Sequence, residues 1–369
     1  MGVERVPYIG LQRQHAAIKE DLLAAVERVL DHSHFILGPE VEEFERRFAE
    51  LVGCEHAIGV NSGTDALVLS LRALGVESGD EVITPPNSFI ASASAVILAG
   101  GTPVFADVGA DYNLDPAAVE AVVGERTRVI MPVHLTGRPA RMEEIMGIAA
   151  AHDLCVVEDC AQAICASLGG RQVGSFGNLG CFSLHPLKTL NACGDGGVVT
   201  TDDSGLADTL RELRNIGQAD RGRTVVWSGN SRLDALQAAM LMVKLDHLKI
   251  WTQGRIDNAE FYREQLADNP HITLPTPESE GMCAVYHTFV IRTPHRDELM
   301  DHLEGWGVEC KIHYPIPIHE QVCASNLARD GGYPETEVQA NEILSLPVHP
   351  ELTDDELARV VEALDAFAG

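Results

Sequence analysis

Two segments near the middle of the chain pair an acid with an amine. VVEDCAQA carries Asp159 and Gln162, and FSLHPLKTLNACGDGG carries Ser183 and Lys188. A lysine amine can hold an aldehyde cofactor as a Schiff base, and a carboxylate can keep a pyridine nitrogen protonated so that the ring accepts electrons. Together they point to a pyridoxal phosphate (PLP) site. Either segment alone says little, because an acid closing a buried strand often caps a helix and a lone lysine is usually a solvated charge. Placement raises their weight. Asp159 ends the apolar run LCVVED, and Lys188 lies between the strand candidates CFSLH and GGVVTTDD instead of on a helix face.

A phosphate needs backbone donors and hydroxyls at a helix start. NSGTDALVLSLRAL supplies them: Gly63 permits close backbone approach, Thr64 offers a hydroxyl, and Ser183 can reach the same group from its strand. The alternative is a plain strand-to-helix turn capped by Ser62 or Thr64. Phe89 in TPPNSFIASASAV follows a strand candidate at the sheet edge where ligands of such folds gather, so it can stack on a ring or fill core. Gln162 can bond a ring hydroxyl or cap a loop. No metal site is assigned, since the 15 histidines include no HExxH-like pair.

These residues need a frame to hold them. Short apolar runs (HAIGV, EVITP, TPVFADV, RVIMPVHL, LCVVED) alternate with helical patterns at Ala16–Leu30, Glu40–Leu51, Ala66–Leu74 and Met142–His152, which predicts a largely parallel sheet covered on both faces. A helical stretch from Leu233 to Leu266 bridges to a second part. There YHTFVIRT and VECKIHY read as strands, with helices at Asp297–Glu304 and Asp354–Phe367. The expected division is a large domain over 1–250 and a small C-terminal domain over 251–369.

The chain has 369 residues, 45% hydrophobic, enough to fill two cores. Its net charge of -28 repels phosphate backbones and anionic lipid, so neither nucleic acid nor membrane is an expected partner. Nine cysteines without CxxC spacing predict reduced thiols and a cytoplasmic protein.

SGTDAL, VVEDCAQA, GSFGNLGCFSLHPLK, GDGGVVTT, GNSRLDALQAAML and HYPIPIHEQ, in that order, resemble motifs of the DegT/DnrJ family of sugar aminotransferases. The resemblance covers about residues 35 to 350. It implies an α/β fold of the aspartate aminotransferase type (fold type I) with a mostly parallel, seven-stranded-type sheet, and a homodimer whose active sites are shared between subunits. It also implies that Lys188 binds PLP and shuttles the proton, and that Asp159 pairs with the pyridine nitrogen. Gly63, Thr64 and Ser183 then hold the phosphate, Phe89 stacks on the ring and Gln162 meets its hydroxyl. Asn230 resembles an asparagine that reaches the phosphate from the neighbouring subunit; it also reads as a turn residue. Tyr314 and His319 resemble residues lining the sugar side, or, with His313, shape a proline-rich turn. The implied reaction moves an amino group from L-glutamate, or L-glutamine, to a nucleotide-linked keto-hexose or a keto-cyclitol, by ping-pong steps through pyridoxamine phosphate. Two positions depart from the pattern. Thr189 stands where many relatives carry asparagine and Leu184 where many carry an aromatic, which touches substrate preference and leaves the lysine chemistry intact. Lys188 argues against a dehydratase of the same family, which typically has histidine there. The retained Lys188, Asp159, Thr64 and Ser183 argue against a non-catalytic regulatory homologue.

Overall fold

A computed structural model describes residues 5–327 and 331–368. Its centre is a seven-stranded sheet in the order β1-β9-β8-β5-β4-β2-β3. The strands are β1 (His56–Val60), β2 (Glu81–Thr84), β3 (Thr102–Phe105), β4 (Thr127–Ile130), β5 (Cys155–Asp159), β8 (Leu179–Ser183) and β9 (Gly197–Thr201); the short β6 (Ser167–Leu168) and β7 (Arg171–Gln172) form a hairpin outside it. β3, β2, β4, β5 and β8 run parallel, and β9 lies antiparallel to both β8 and β1. β1 therefore points the same way as the parallel set, and the C-terminal ends of β1, β2, β5 and β8 meet at one edge. That edge is where an open α/β sheet gathers its ligands.

The strands read as continuous apolar runs because both faces are covered. Val82, Val129, Val157, Cys181 and Val199 pack on one face with Leu67 and Leu71, while Ile83, Ile130 and Val156 pack on the other with Met142 and Ile145. The two-residue period of a strand sends neighbours to opposite cores.

Helix ends follow local chemistry. The expected helix at Glu40–Leu51 forms α2 (Pro39–Val52), entered by proline and closed by Gly53 at φ 80°, a conformation glycine adopts without a Cβ penalty. Before it, α1 (Leu11–His32) lays Ile18, Leu22, Ala25 and Val29 along the long helix Ala235–Gln265, against Ala235, Ala239 and Trp251. After β1, α3 (Gly63–Ala73) starts at Ser62, whose hydroxyl accepts from the Asp65 N–H at 3.0 Å.

The long helix runs unbroken through residue 250. Its later residues Ala259 and Tyr262 join a separate core with Phe289, Ile291, Leu344, Leu346 and Val360, to which Val6 also contributes. YHTFVIRT forms the strand Phe289–Arg292, whose partner is Ile343–Leu346, a segment not expected to be a strand. VECKIHY differs from expectation: only the isolated bridges Val6–Val308 and Lys311–Ser345 form there. Pro315 and Pro317 follow at once and lack the N–H groups that a ladder needs, and the chain turns to bring His313 and Tyr314 to a cavity.

Candidate active site

The cavity opens at the C-terminal edge of the sheet and has a volume of about 360 Å³. Gly63, Thr64, Phe89, Asp159, Gln162, Ser183, Lys188 and Tyr314 all line it. Residues up to 251 positions apart in sequence (63 to 314) meet there because β1, β2, β5 and β8 deliver their following loops to one edge.

Asp159, the last residue of β5, is buried. Ser92 of α4 (Ala91–Ala99) donates its hydroxyl to one carboxylate oxygen at 3.0 Å, and the Ala161 N–H donates to the other at 3.1 Å. Burial nevertheless pushes this carboxyl above its usual range, against the pull of these donors and of the Lys188 charge. Among the described residues no lysine or arginine lies within ion-pairing distance of it. The site thus holds an oriented carboxylate short of a cation.

Lys188 sits in the loop between β8 and β9, anchored through its own N–H to the His185 carbonyl at 2.8 Å and through its carbonyl to the Asn191 amide at 3.3 Å. Desolvation lowers its amine to about 8, with Asp159 opposing the shift. Much more of it is neutral near physiological pH than of a solvated lysine, which suits a nucleophile or a proton acceptor.

Gly63 is a requirement of the packing: a Cβ built on it would lie 2.6 Å from the Ser183 Cβ and 3.0 Å from the Ser183 Cα. Similarly, a Cβ on Gly197 would meet the Ser62 carbonyl oxygen at 2.3 Å. The helix start, the Ser183 hydroxyl and the Thr64 side chain are thereby brought together in the cavity, an arrangement whose chemistry suits an anion. The Ser62 cap is also present, so the turn serves both readings.

Phe89 is not core. It is 55% exposed, and its ring centroid lies 5.6 Å from that of Tyr314. The Tyr314 hydroxyl is 3.4 Å from Gln162 Nε2, while Gln162 Oε1 accepts from the Thr136 N–H at 2.7 Å. Two expected residues lie elsewhere. Asn230 is exposed, bridges to Asn215, and is outside this chain's own cavity. His319 is buried against Tyr333, ring centroids 4.6 Å apart, with Nε2 3.3 Å from Glu337; the sugar-lining position expected for it is not where it sits in this chain.

Folding also assembles residues the motifs did not reveal: Tyr8, Gln14, Arg255, His287 and Thr288 join the lining, beside His313 of the HYPIPIHEQ motif. Burial and the charges of Lys188 and Arg255 hold His287 well below the usual imidazole range, and His313 falls to about 4. Tyr8 and Arg255 belong to helical or N-terminal stretches that give no local signal. Beneath the site, His134 Nε2 meets Glu158 at 3.0 Å, and Glu158 accepts the Gly174 and Gly177 N–H groups at 2.8 Å each. With His134 Nδ1 accepting from the Ala140 N–H at 2.9 Å, this buried pair is engaged in shaping the β5–β8 junction.

Residues 16–365 match the profile of the DegT/DnrJ/EryC1/StrS aminotransferase family. The chain belongs to that family. It is 42% identical to the dTDP-3-amino-3,4,6-trideoxy-alpha-D-glucose transaminase of Streptomyces venezuelae, over 99% of this chain and 96% of that protein. It is 43% identical to the erythromycin biosynthesis sensory transduction protein EryC1 of Saccharopolyspora erythraea, over 98% of this chain and 100% of the relative. The solved structure of S. venezuelae DesV in complex with a ketimine intermediate superposes with a TM-score of 0.95, covering 98% of each chain at 42% identity. A DegT/DnrJ/EryC1/StrS aminotransferase from Brucella abortus also gives 0.95, at 35% identity, over 99% of this chain and 100% of that one. The chain therefore has the fold type I architecture and is an aminotransferase. Among the described residues no helix is long and apolar enough to cross a membrane.

Proposed function

We propose that this aminotransferase uses PLP to move an amino group from L-glutamate, or alternatively L-glutamine, to a nucleotide-linked keto-hexose, with a keto-cyclitol as the alternative acceptor. The observation that carries the reading is the convergence of Lys188, lowered to about 8, and the cation-short Asp159 in one cavity with the tight Gly63–Ser183 approach. These residues fit PLP. Lys188 would hold its aldehyde carbon, Asp159 its ring nitrogen, and Gly63, Thr64 and Ser183 its phosphate; Phe89 would cover the ring and Gln162 would meet its hydroxyl. Bound there, PLP supplies an electron sink for the carbon that loses a proton.

The protein's own part is positioning and proton movement. Ser92 and the Ala161 N–H fix the Asp159 oxygens, so the carboxylate is aimed before any ligand arrives. Lys188 takes a proton at Nζ from the donor's α-carbon in the first half-reaction and returns one to the acceptor in the second. The same cavity must then serve donor and acceptor in turn, which is ping-pong behaviour. The names of relatives favour a nucleotide sugar: they include dTDP-linked transaminases and a UDP-N-acetyl-3-dehydro-alpha-D-glucosamine 3-aminotransferase of Acidithiobacillus ferrooxidans, 42% identical. We place the enzyme in the cytoplasm because all nine cysteines are free thiols, and as a homodimer because Asn230 is exposed and free to enter a second subunit's site. We also propose the division near residue 250 into a large and a small domain, because a separate core forms mainly from residues beyond it, with Val6 added from the N-terminal side.

The test is to incubate the PLP-loaded enzyme with L-glutamate and a panel of dTDP- and UDP-linked keto-hexoses, and to read aminated product by mass spectrometry. Amination of a panel member is expected; amination only of a keto-cyclitol would select the alternative, and no amination of either would overturn the reading.

A further inference from the structure

His319 is buried with neither side of its ring in a hydrogen bond. Both Nδ1 and Nε2 lack a partner among the described residues, whereas the buried His287 and His349 leave only Nδ1 unpaired. A neutral imidazole carries a donor on one nitrogen and a lone pair on the other, and shutting both away unused is costly unless something occupies one of them.

What faces the ring narrows the choice. Nε2 lies 3.3 Å from the Glu337 carboxylate and 4.0 Å from that of Glu320, and one ligand atom from each of the three residues falls within 4.8 Å of the others. The Glu337 oxygen is near enough to be an acceptor, yet it lies off the ring N–H direction and makes no hydrogen bond. A bound ion accounts for both facts. It would sit along the lone pair of Nε2 with its other ligands to the side, and at bond lengths of about 2.0–2.2 Å two ligands of a tetrahedral ion are about 3.3–3.6 Å apart. Glu320 closes its longer gap by a change of rotamer, since its side chain is 52% exposed. Glu337 is already aimed: its Oε1 accepts the Tyr333 N–H at 2.9 Å, the kind of outer hydrogen bond that orients a metal-binding carboxylate. Among the described residues no lysine or arginine pairs with either acid.

His134, Glu158 and Cys160 are a second cluster of metal-binding types, but their atoms are spent. His134 is bonded at both ring nitrogens, and both Glu158 oxygens accept backbone N–H groups. The geometry points to His319, Glu320 and Glu337 as a site for a divalent transition-metal ion, zinc foremost, with water completing the shell. One imidazole and two carboxylates suit zinc, while calcium and magnesium take oxygen ligands alone. The set has no close histidine pair: it takes one histidine, the acid beside it and a carboxylate 18 positions on (319 to 337). Its exposed acids give an ion a way in, and the net charge of -28 draws cations toward the surface.

The site lies outside the lining of the catalytic cavity and stands independently of the aminotransferase reading. Its role is to fasten two elements. His319 and Glu320 belong to the turn Ile318–Glu320, where the Ile318 N–H donates to the Pro86 carbonyl at 2.7 Å. Glu337 belongs to the helix Pro334–Glu342, whose Glu335 and Thr336 N–H groups donate to Asp107 at 3.0 and 3.1 Å. An ion joining them would pin the segment that begins four residues after Tyr314 of the cavity wall.

The experiment titrates Zn²⁺ into chelator-treated, PLP-loaded enzyme by calorimetry and repeats it with His319→Gln, Glu320→Gln and Glu337→Gln. Co²⁺ absorbance on the same proteins reports the ligand type. The wild type should bind one ion per chain and melt roughly 3 °C higher at a hundredfold excess over the dissociation constant. Loss of an outer hydrogen bond costs about 10–100-fold in metal affinity, so each glutamate variant should weaken binding at least about tenfold and His319→Gln about 100-fold. Bound Co²⁺ should show no thiolate band. Absence of saturable binding in the wild type would overturn the site and leave His319 and Glu337 as a plain ion pair. Wild-type affinity in all three variants would also overturn it, as an adventitious ion only; a thiolate band would then place that ion on the exposed Cys193, Cys283 or Cys323. Wild-type affinity in Glu320→Gln alone would overturn the three-residue set. Should His319→Gln fail to fold, Glu320→Gln still decides, because its side chain is half exposed.

Discussion

At the residue scale, the site depends on what burial does to one amine and one acid. Lys188 is lowered to about 8, so the apoenzyme should capture PLP through a lysine whose reactive, neutral form fills in as pH rises through about 8. The capture rate should climb over roughly pH 7 to 9 and level off above, where a solvated lysine, with a pKa of roughly 10.4, would still be climbing. Stopped-flow absorbance checks this, and a rate still rising steeply above pH 9 would show that Lys188 is not desolvated. Lys188→Ala should abolish both the lysine-bound cofactor absorbance and turnover while the protein stays folded by circular dichroism. The motif residues were legible because they are local: Asp159 and Gln162 are three apart, and Ser183 precedes Lys188 by five in the same loop-forming run. Arg255, His287, Tyr8 and Ser92 were not. Tyr8, Arg255 and His287 reach the cavity, and Ser92 reaches Asp159, by tertiary packing, and an arginine in a long helix carries no mark of the side it will face. His319 lies outside this chain's own cavity lining for a related reason. A motif fixes which turn a residue occupies, while the rotation that buries it against Tyr333 is decided by the core.

At the scale of elements, the parallel strands and their helices were readable since their apolar runs and end signals agree, as with Pro39 and Gly53 bounding α2. The C-terminal part was harder. Ile343–Leu346 is a short buried strand that directly follows the helix Pro334–Glu342 and has no alternation to mark it. VECKIHY has strand-like composition, yet it makes only single bridges as it bends toward the cavity. The turn from β1 to α3 yields a prediction of its own. Gly63→Ala forces a methyl against the Ser183 Cβ at 2.6 Å, so one element must retreat. Overpacking of this kind costs about 1–3 kcal/mol. Thermal melts should show that loss in the apoenzyme, and PLP affinity should fall with it because the phosphate cradle opens. A variant with wild-type melting temperature and PLP affinity would show that the approach is not tight.

At the scale of the whole molecule, the sheet edge, the N-terminal segment and the C-terminal part all contribute lining to one cavity, so catalysis needs the complete chain folded as one assembly. Asn230 remains on the surface, beside Val225, Val226 and a Trp227 that is 92% exposed. An apolar tip next to a polar motif residue fits insertion into a second subunit. Mixed dimers of Lys188→Ala and Asn230→Ala chains should then recover activity absent from either homodimer, since one interface would pair the intact lysine of one chain with the intact asparagine of the other. No recovery in verified heterodimers would place Asn230 outside the shared site. The central claim is tested most directly by the absorbance spectrum of the purified protein with PLP, before and after L-glutamate and then L-glutamine. A lysine-bound cofactor band that gives way to the aminated cofactor with one of these donors is the predicted result, and that donor is thereby named. A protein that forms no such band, although folded and supplied with PLP, would contradict the account.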